Sequence, residues 1–300
     1  DLSPEQAVGL CTRTEGWAAG VVLAALAFHG REDGAARAAQ LSGDQPEVAE
    51  YLLEEVLESQ PEQLRTFMLG TSVLETMTPA LVDAVLGTTG SATSLDALAR
   101  ADAFIVPADD CRETFRYHRL FQDFLRGELA RRHPELVSAH LERAADWCEA
   151  HGASGDAFVY AYESGDLHRA GRVALAHRDE LSRDGHSERI TRWLDRCSDE
   201  EITSDPQLSL AAAWVLMFRG DLARARKCLA AAARGPLEDA PADGASSLSS
   251  AIASVRSLLA PDGIGAMLRD GEFIYEAERR AGTQWLASGC RAIGVARVLQ

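Results

Sequence analysis

TFRYHRLFQDFL, residues 114–125, decides how this chain is read. Phe115 and Tyr117 flank Arg116 with the period of two of a half-buried strand, and then the period changes. Leu120, Phe121, Phe124, Leu125 and Leu129 recur at helical spacing, so a strand ends and a helix begins at His118. Upstream, FIVP (104–107) is a second short extended run, and Asp109-Asp110 supplies a polar turn that joins the two as a β-hairpin. Before the hairpin, prolines punctuate short helices. Pro46 opens VAEYLLEEVLES, with Val48, Leu52, Leu53 and Val56 on one face; Pro61 opens EQLRTFML; Pro79 opens ALVDAVLG; a further helix runs from Ser91 to Ala101. Several short helices followed by a two-stranded wing make residues 41–133 a winged-helix-like domain.

From HLERAADWCEAHG (140–152) onward the pattern is helical throughout. SGDLHRAGRV (164–173) and RGDLARARKC (219–228) share Gly-Asp-Leu-x-Arg-Ala, and SGDAFVYAYE (154–163) is a weaker third copy. In each copy the glycine ends one helix, the aspartate caps the next, and the small alanine allows close crossing. Helical hairpins of this kind stack into solenoids, so residues 134–300 read as a tetratricopeptide-like α-solenoid, with one degenerate hairpin between the two better copies. The fold class is mainly α: a winged-helix-like domain with a small β-hairpin, then that solenoid. PLEDAPADGASS (236–247) is expected to be a mobile linker. At the other end, Ser3-Pro4-Glu5-Gln6 caps a helix to about Arg13, and a second helix spans about Trp17 to Phe28.

Composition removes several functions. A net charge of −16 disfavours holding DNA or RNA through the overall field, since phosphate neutralisation needs basic residues in excess. Lys227 is the only lysine, and the residues before it, RGDLARAR, are not a G-x-x-x-x-G-K-[ST] phosphate loop. The chain is therefore expected to hydrolyse no ATP by itself. Six cysteines, at 11, 111, 148, 197, 228 and 290, form no C-x-x-C pair, and are expected to be reduced, mostly buried thiols of a cytoplasmic protein. The apolar run AAGVVLAALAF (18–28) is too short to span a membrane. A start at Asp1 and an end at Gln300 inside a helical pattern suggest a piece of a longer protein.

The eight histidines give no metal or catalytic constellation: there is no H-E-x-x-H, and His118 has no acidic or cysteine neighbour at triad-like spacing. His118 directly precedes a helix, with Arg116 and Arg119 beside it. Helix N-terminal amides flanked by cationic side chains suit an anion, so a phosphate contact is one reading. The other is structural: a histidine that caps its own helix or packs on the wing.

RTEGWAAGVVLAAL (13–26), AEYLLEEVLESQPEQLRTFMLGTSVLE (49–75) and FRYHRLFQDFLRGEL (115–129) occur in an order and at a spacing that resembles MalT-type regulators. These are large ATP-binding LuxR-family regulators, among the signal-transduction ATPases with numerous domains. The resemblance covers roughly residues 1–235. It implies that residues 1–40 are the C-terminal helices of an ATPase module, and that the chain is the central regulatory and sensor segment of an ATP-dependent transcriptional regulator. It further implies ATP or ADP as ligand of the parent protein, with no cofactor expected in the fragment alone. The missing ATPase module and a C-terminal LuxR-type DNA-binding domain would be partners in the same protein, with an unknown inducer or protein on the solenoid and no direct nucleic-acid or membrane contact. In related ATPases a winged-helix histidine contacts the β-phosphate of ADP; His118, beside Arg119, is the position that resembles it. Gly16 and Trp17 resemble a Gly-x-Pro element beside the adenine, although Ala18 stands where that element has proline. Two other readings remain open: a stand-alone helical-repeat adaptor without nucleotide dependence, and a helical segment of a multidomain enzyme.

Overall fold

A computed structural model of the chain describes residues 8, 11–12, 14–17, 20–22, 46–100, 104–111, 113–177, 194 and 197–300. Most of the expected N-terminal helix to Arg13 and of the helix from Trp17 to Phe28 lies outside the described residues, as does Ala18. The chain divides into two compact units, Asp1–Trp147 and Cys148–Gln300.

In the first unit, α1 starts at Pro46–Tyr51 and continues as a wider π-helical turn over Leu52–Leu57. The Glu58 amide bonds back five residues to the Leu53 carbonyl, at 2.9 Å. This turn changes which residues face inward. Leu52 and Leu57 are fully buried while Leu53 and Val56 are only half-buried, so the face expected from ordinary helical spacing is rotated. Helices α2 (Glu62–Thr71), α3 (Pro79–Leu86) and α4 (Ser91–Arg100) follow, each packed on its neighbour or on the wing. Thr78 caps α3 by accepting the Leu81 amide, with Pro79 in the first turn and Gly87 at φ +66 ending it.

The wing is as the sequence indicates. Strands β1 (Ile105–Pro107) and β2 (Phe115–Tyr117) pair antiparallel, with Ile105 opposite Tyr117 and Pro107 opposite Phe115. Pro107 lacks an amide proton, which a strand tolerates at its end. Asp109 accepts the Glu113 amide across the turn. Met77 adds an isolated bridge to β2, exchanging both backbone hydrogen bonds with Phe115 at 2.7 and 2.9 Å. Helix α5 (Arg119–Arg132) then buries Leu120, Phe121, Phe124, Leu125 and Leu129, the stripe legible in the sequence. Phe121 lies against Phe104, Tyr117 and Phe124. Tyr117 is fully enclosed and shares a 2.8 Å hydrogen bond with the Thr71 hydroxyl; burial raises its phenol well above the usual range.

Helix α6 (Pro134–Ala150) closes this unit with its first part and leads into the second. The second unit is helical: α7 (Ser154–Glu163), α8 (Leu167–Ala176), α9 (Asp199–Ser204), α10 (Pro206–Phe218), α11 (Leu222–Ala232), α12 (Leu248–Leu259), α13 (Ile264–Ala281) and α14 (Leu286–Leu299). The described helices pack mainly on near neighbours in sequence, α8 packing on α10 as well as on α7, the quasi-one-dimensional packing of a solenoid. Gly165 and Gly220 turn with φ +87 and +80, and Asp166 and Asp221 cap α8 and α11 through the Arg169 and Arg224 amides. The third copy departs from the pattern. Ala153, which offers no capping side chain, precedes α7, and Asp156 falls inside its first turn. The stretch between the better copies, which holds the expected degenerate hairpin, lies partly outside the described residues.

Two expectations are corrected. Residues 236–247 are no mobile linker: the Ala242 amide donates to Gln207 Oε1, Trp285 Nε1 donates to the Asp243 carbonyl, and the Ser246 amide and hydroxyl donate to the Glu278 carboxylate. Glu278 is fully buried; burial pushes its carboxyl up, but the hydroxyls and amide around it outweigh that and hold it below its ordinary value. The segment's glycine, proline and serine content signalled a loop, and the partners that tie it down lie distant in sequence, on α10, on α13 and just before α14. The cysteines are not mostly buried either, because Cys11, Cys111 and Cys290 are exposed and only Cys148, Cys197 and Cys228 are enclosed. Among the described residues no helix is long and apolar enough to cross a membrane.

Candidate functional site

The site is built where the wing hands over to α5. His118 is the N-cap residue, with extended backbone (φ −59, ψ 136), and its side chain makes no capping hydrogen bond. The capping form of the structural alternative therefore does not apply. Its amide donates to the Phe104 carbonyl, and its own carbonyl accepts the Gln122 amide as the first bond of the helix. Both backbone groups are thus fixed by the wing and the helix, which aims the imidazole away from them.

The imidazole meets Trp17. The two rings stack with centroids 5.5 Å apart and planes 10° from parallel. Trp17 is itself buried and touches Phe121 at 6.0 Å, joining the stack to the aromatic cluster of the wing. Gly20 lies one turn beyond, where an added Cβ would stand 3.0 Å from the Trp17 ring. An alanine at position 20 would therefore crowd the indole.

Glu15 completes the site. Its Oε2 accepts from Arg116 Nη1 at 2.7 Å and from the Arg119 amide at 3.4 Å, and lies 3.5 Å from His118 Nδ1. Its Oε1 faces the Arg119 guanidinium at 3.9 Å. Burial raises the Glu15 carboxyl; the Arg116 hydrogen bond and charge, the Arg119 amide and His118 act against this and hold it below the usual carboxylate value. A carboxylate is here bound by cations and by the first amide of a helix, the chemistry expected of an anion site in this position.

His118, Arg119, Gly16 and Trp17 are thus brought together, although about a hundred residues separate the two pairs. Gly16 contributes through the backbone: its amide donates to the Cys11 carbonyl, and its φ of +73 continues a turn in which Glu15 also has positive φ, +53. Sequence reasoning missed Glu15. The one signal available was an acidic residue beside the Gly-Trp pair that also resembled a site element. It also missed Gln122 and Arg126, which project from α5 onto the end of α2. Gln122 donates to the Ser72 and Leu74 carbonyls, and Arg126 to those of Ser72 and Val73 at 2.9 and 2.7 Å. These four bonds satisfy carbonyls left open where α2 stops, and so fix the height of α5 and of His118 at its start. Among the described residues no three His, Cys, Asp or Glu side chains gather as metal ligands.

Residues 53–137 match the family described as the MalT winged helix domain. The chain is similar to the serine/threonine-protein kinase PknK of Mycobacterium tuberculosis, 32% identical over 207 residues that make up 68% of this chain and 18% of the kinase. It is also similar to the HTH-type transcriptional regulator MalT of Klebsiella pneumoniae, 30% identical over 213 residues, 69% of this chain and 23% of that regulator. The MalT of Cronobacter sakazakii is 29% identical over 248 residues, 79% of this chain and 27% of its own length. The chain spans about a quarter or less of the length of these relatives. The winged helix and the MalT-like character read from three motifs are borne out, and His118, Arg116 and Arg119 lie within the matched domain.

Proposed function

We propose that this MalT-like chain is the central regulatory and sensor segment of an ATP-dependent LuxR-family transcriptional regulator of the cytoplasm. It couples the nucleotide state of an ATPase module, and binding of an inducer or protein partner on the helical repeats, to activation. The single observation that carries the reading is the convergence of Trp17, His118, Arg116 and Arg119 around one bound carboxylate at the start of α5. A group of this composition can hold a phosphate of ADP presented by the neighbouring module, with Arg119, more exposed than Arg116 or His118, able to follow it. The segment supplies no catalytic group and works as a switch. ADP favours a closed form, while inducer and ATP favour an open one, each by its difference in affinity between the two. DNA reading belongs to a separate C-terminal domain.

The similarity to a kinase supports a second reading, in which the same segment serves as the regulatory part of a multidomain enzyme. The sequence flanking the segment separates the two readings. The nucleotide role is tested by calorimetry of ADP binding to the longer protein that carries this segment. His118→Ala is expected to weaken ADP tenfold or more, about 1.4 kcal/mol. Unchanged affinity in a folded variant would return His118 to a packing role and leave the helical repeats as the sensing part.

A further inference from the structure

The position in front of α5 is filled by the chain itself. One oxygen of Glu15 gathers the Arg116 guanidinium, the Arg119 amide and the edge of His118, and the other faces the Arg119 guanidinium. We infer that the Glu15 carboxylate is an internal competitor for this anion position, so that Glu15 and a phosphate of a nucleoside diphosphate occupy it in alternation. The inference rests on the phosphate-sensing reading of His118 and adds a regulatory device to that site.

Three observations carry it. The carboxylate oxygen already takes the donors that a phosphate oxygen would need, and two anions cannot share them without strong repulsion. The Glu15 backbone has φ +53, a conformation that side-chain-bearing residues seldom adopt, and it persists where the surroundings hold it. Here it is flanked by the ion contacts of its own side chain and by the Trp17 stack two residues on. Finally, Glu15 lies on the same turn as Trp17, so withdrawal of the carboxylate acts directly on the segment that carries the ring stacked on His118. A site occupied part of the time by its own acid shows an apparent affinity lowered by the fraction of molecules in which it is vacant. Glu15 would thereby set the ADP concentration at which the switch responds.

The test is ADP calorimetry on the longer protein with Glu15→Gln, Glu15→Gly, His118→Ala and the Glu15→Gln/His118→Ala double variant. Glycine removes the acid and fits the positive φ, so the test does not depend on how glutamine settles in that turn. Both Glu15 variants are expected to tighten ADP at least fivefold, and the gain is expected to vanish in the double variant. A smaller gain, or a loss, in the Glu15 variants while His118→Ala weakens ADP would overturn the competition and leave the phosphate reading standing, with Glu15 a structural clamp. If His118→Ala leaves ADP binding unchanged in both backgrounds, the phosphate reading fails and the competition fails with it.

Discussion

The two units use long-range polar contacts to different ends. In the first, the decisive contacts join residues far apart in sequence: Glu15 with Arg116 and Arg119, Arg126 with the Ser72 and Val73 carbonyls, Tyr117 with Thr71. In the second, the contacts that recur from helix to helix are local, with Asp166, Asp205 and Asp221 each accepting an amide three residues on, while long-range bonds tie the 236–247 segment to Gln207, Glu278 and Trp285. Long-range polar contacts create one defined place, and that is where a ligand site can form. Local caps repeated along a stack create a surface that can vary repeat by repeat. The proposed nucleotide contact in the first unit and the proposed partner sensing in the second would follow this division of labour.

The comparison breaks most sharply at Gly171 in α8. An added Cβ would run into the Leu208 backbone nitrogen and lie 2.8 Å from the Leu208 Cα, against a backbone that side-chain rotation cannot clear. Gly171→Ala is expected to destabilise the second unit by about 2 kcal/mol, although alanine is the better helix former by about 1 kcal/mol. Urea unfolding with hydrogen exchange assigned to each unit measures it; an unchanged midpoint would show that close helix approach is not what holds the stack. In the first unit, Arg126→Ala is expected to cost about 1–2 kcal/mol. It strips the Val73 carbonyl of its side-chain donor, whereas Ser72 keeps Gln122. Exchange protection should fall at the end of α2 and the start of α5 together. A loss confined to α5 would mean that the clamp does not join the two helices.

The same difference in range explains what the sequence made legible. The wing, the α5 stripe and the Gly-Asp hairpins were readable because each is set by residues within a few positions of one another. Leu53 and Val56 were misplaced because a single π-helical turn shifts the inward face, and no propensity marks that shift. Glu15 was unreadable as a site residue because its partners lie 101 and 104 positions away. Gly16 and Trp17 were found through resemblance, since nothing in their own spacing points to His118. Residues 236–247 were misread because composition shows that a segment is not helical and leaves open what it is bonded to; the acceptors Gln207 and Glu278 could not be inferred from the loop.

The smallest expected effect tests whether the repeat is a physical unit or only a verbal pattern. Asp166 and Asp221 each satisfy an otherwise open amide in the first turn of a helix, at 2.9 and 3.1 Å. Replacing either by alanine removes that acceptor and should cost about 1 kcal/mol. Asp156, in the third copy, shares the sequence context but stands inside the first turn of α7, after an uncapped start at Ala153. Its carboxylate can favour the helix through the N-terminal dipole, worth about 0.5 kcal/mol, without serving as the cap. Asp156→Ala should therefore cost about half as much as Asp166→Ala or Asp221→Ala. Its cost should also shrink with added salt, because a charge–dipole interaction is screened where a direct hydrogen bond is less so. Equal costs for all three, with equal salt dependence, would make the third copy a genuine repeat. A difference of this size would instead show that the hairpin pattern is carried by where the aspartate falls relative to the start of its helix, since it follows a glycine directly in all three copies. In that case α7 owes its place to the Phe158, Val159 and Tyr160 side chains it buries rather than to its first turn.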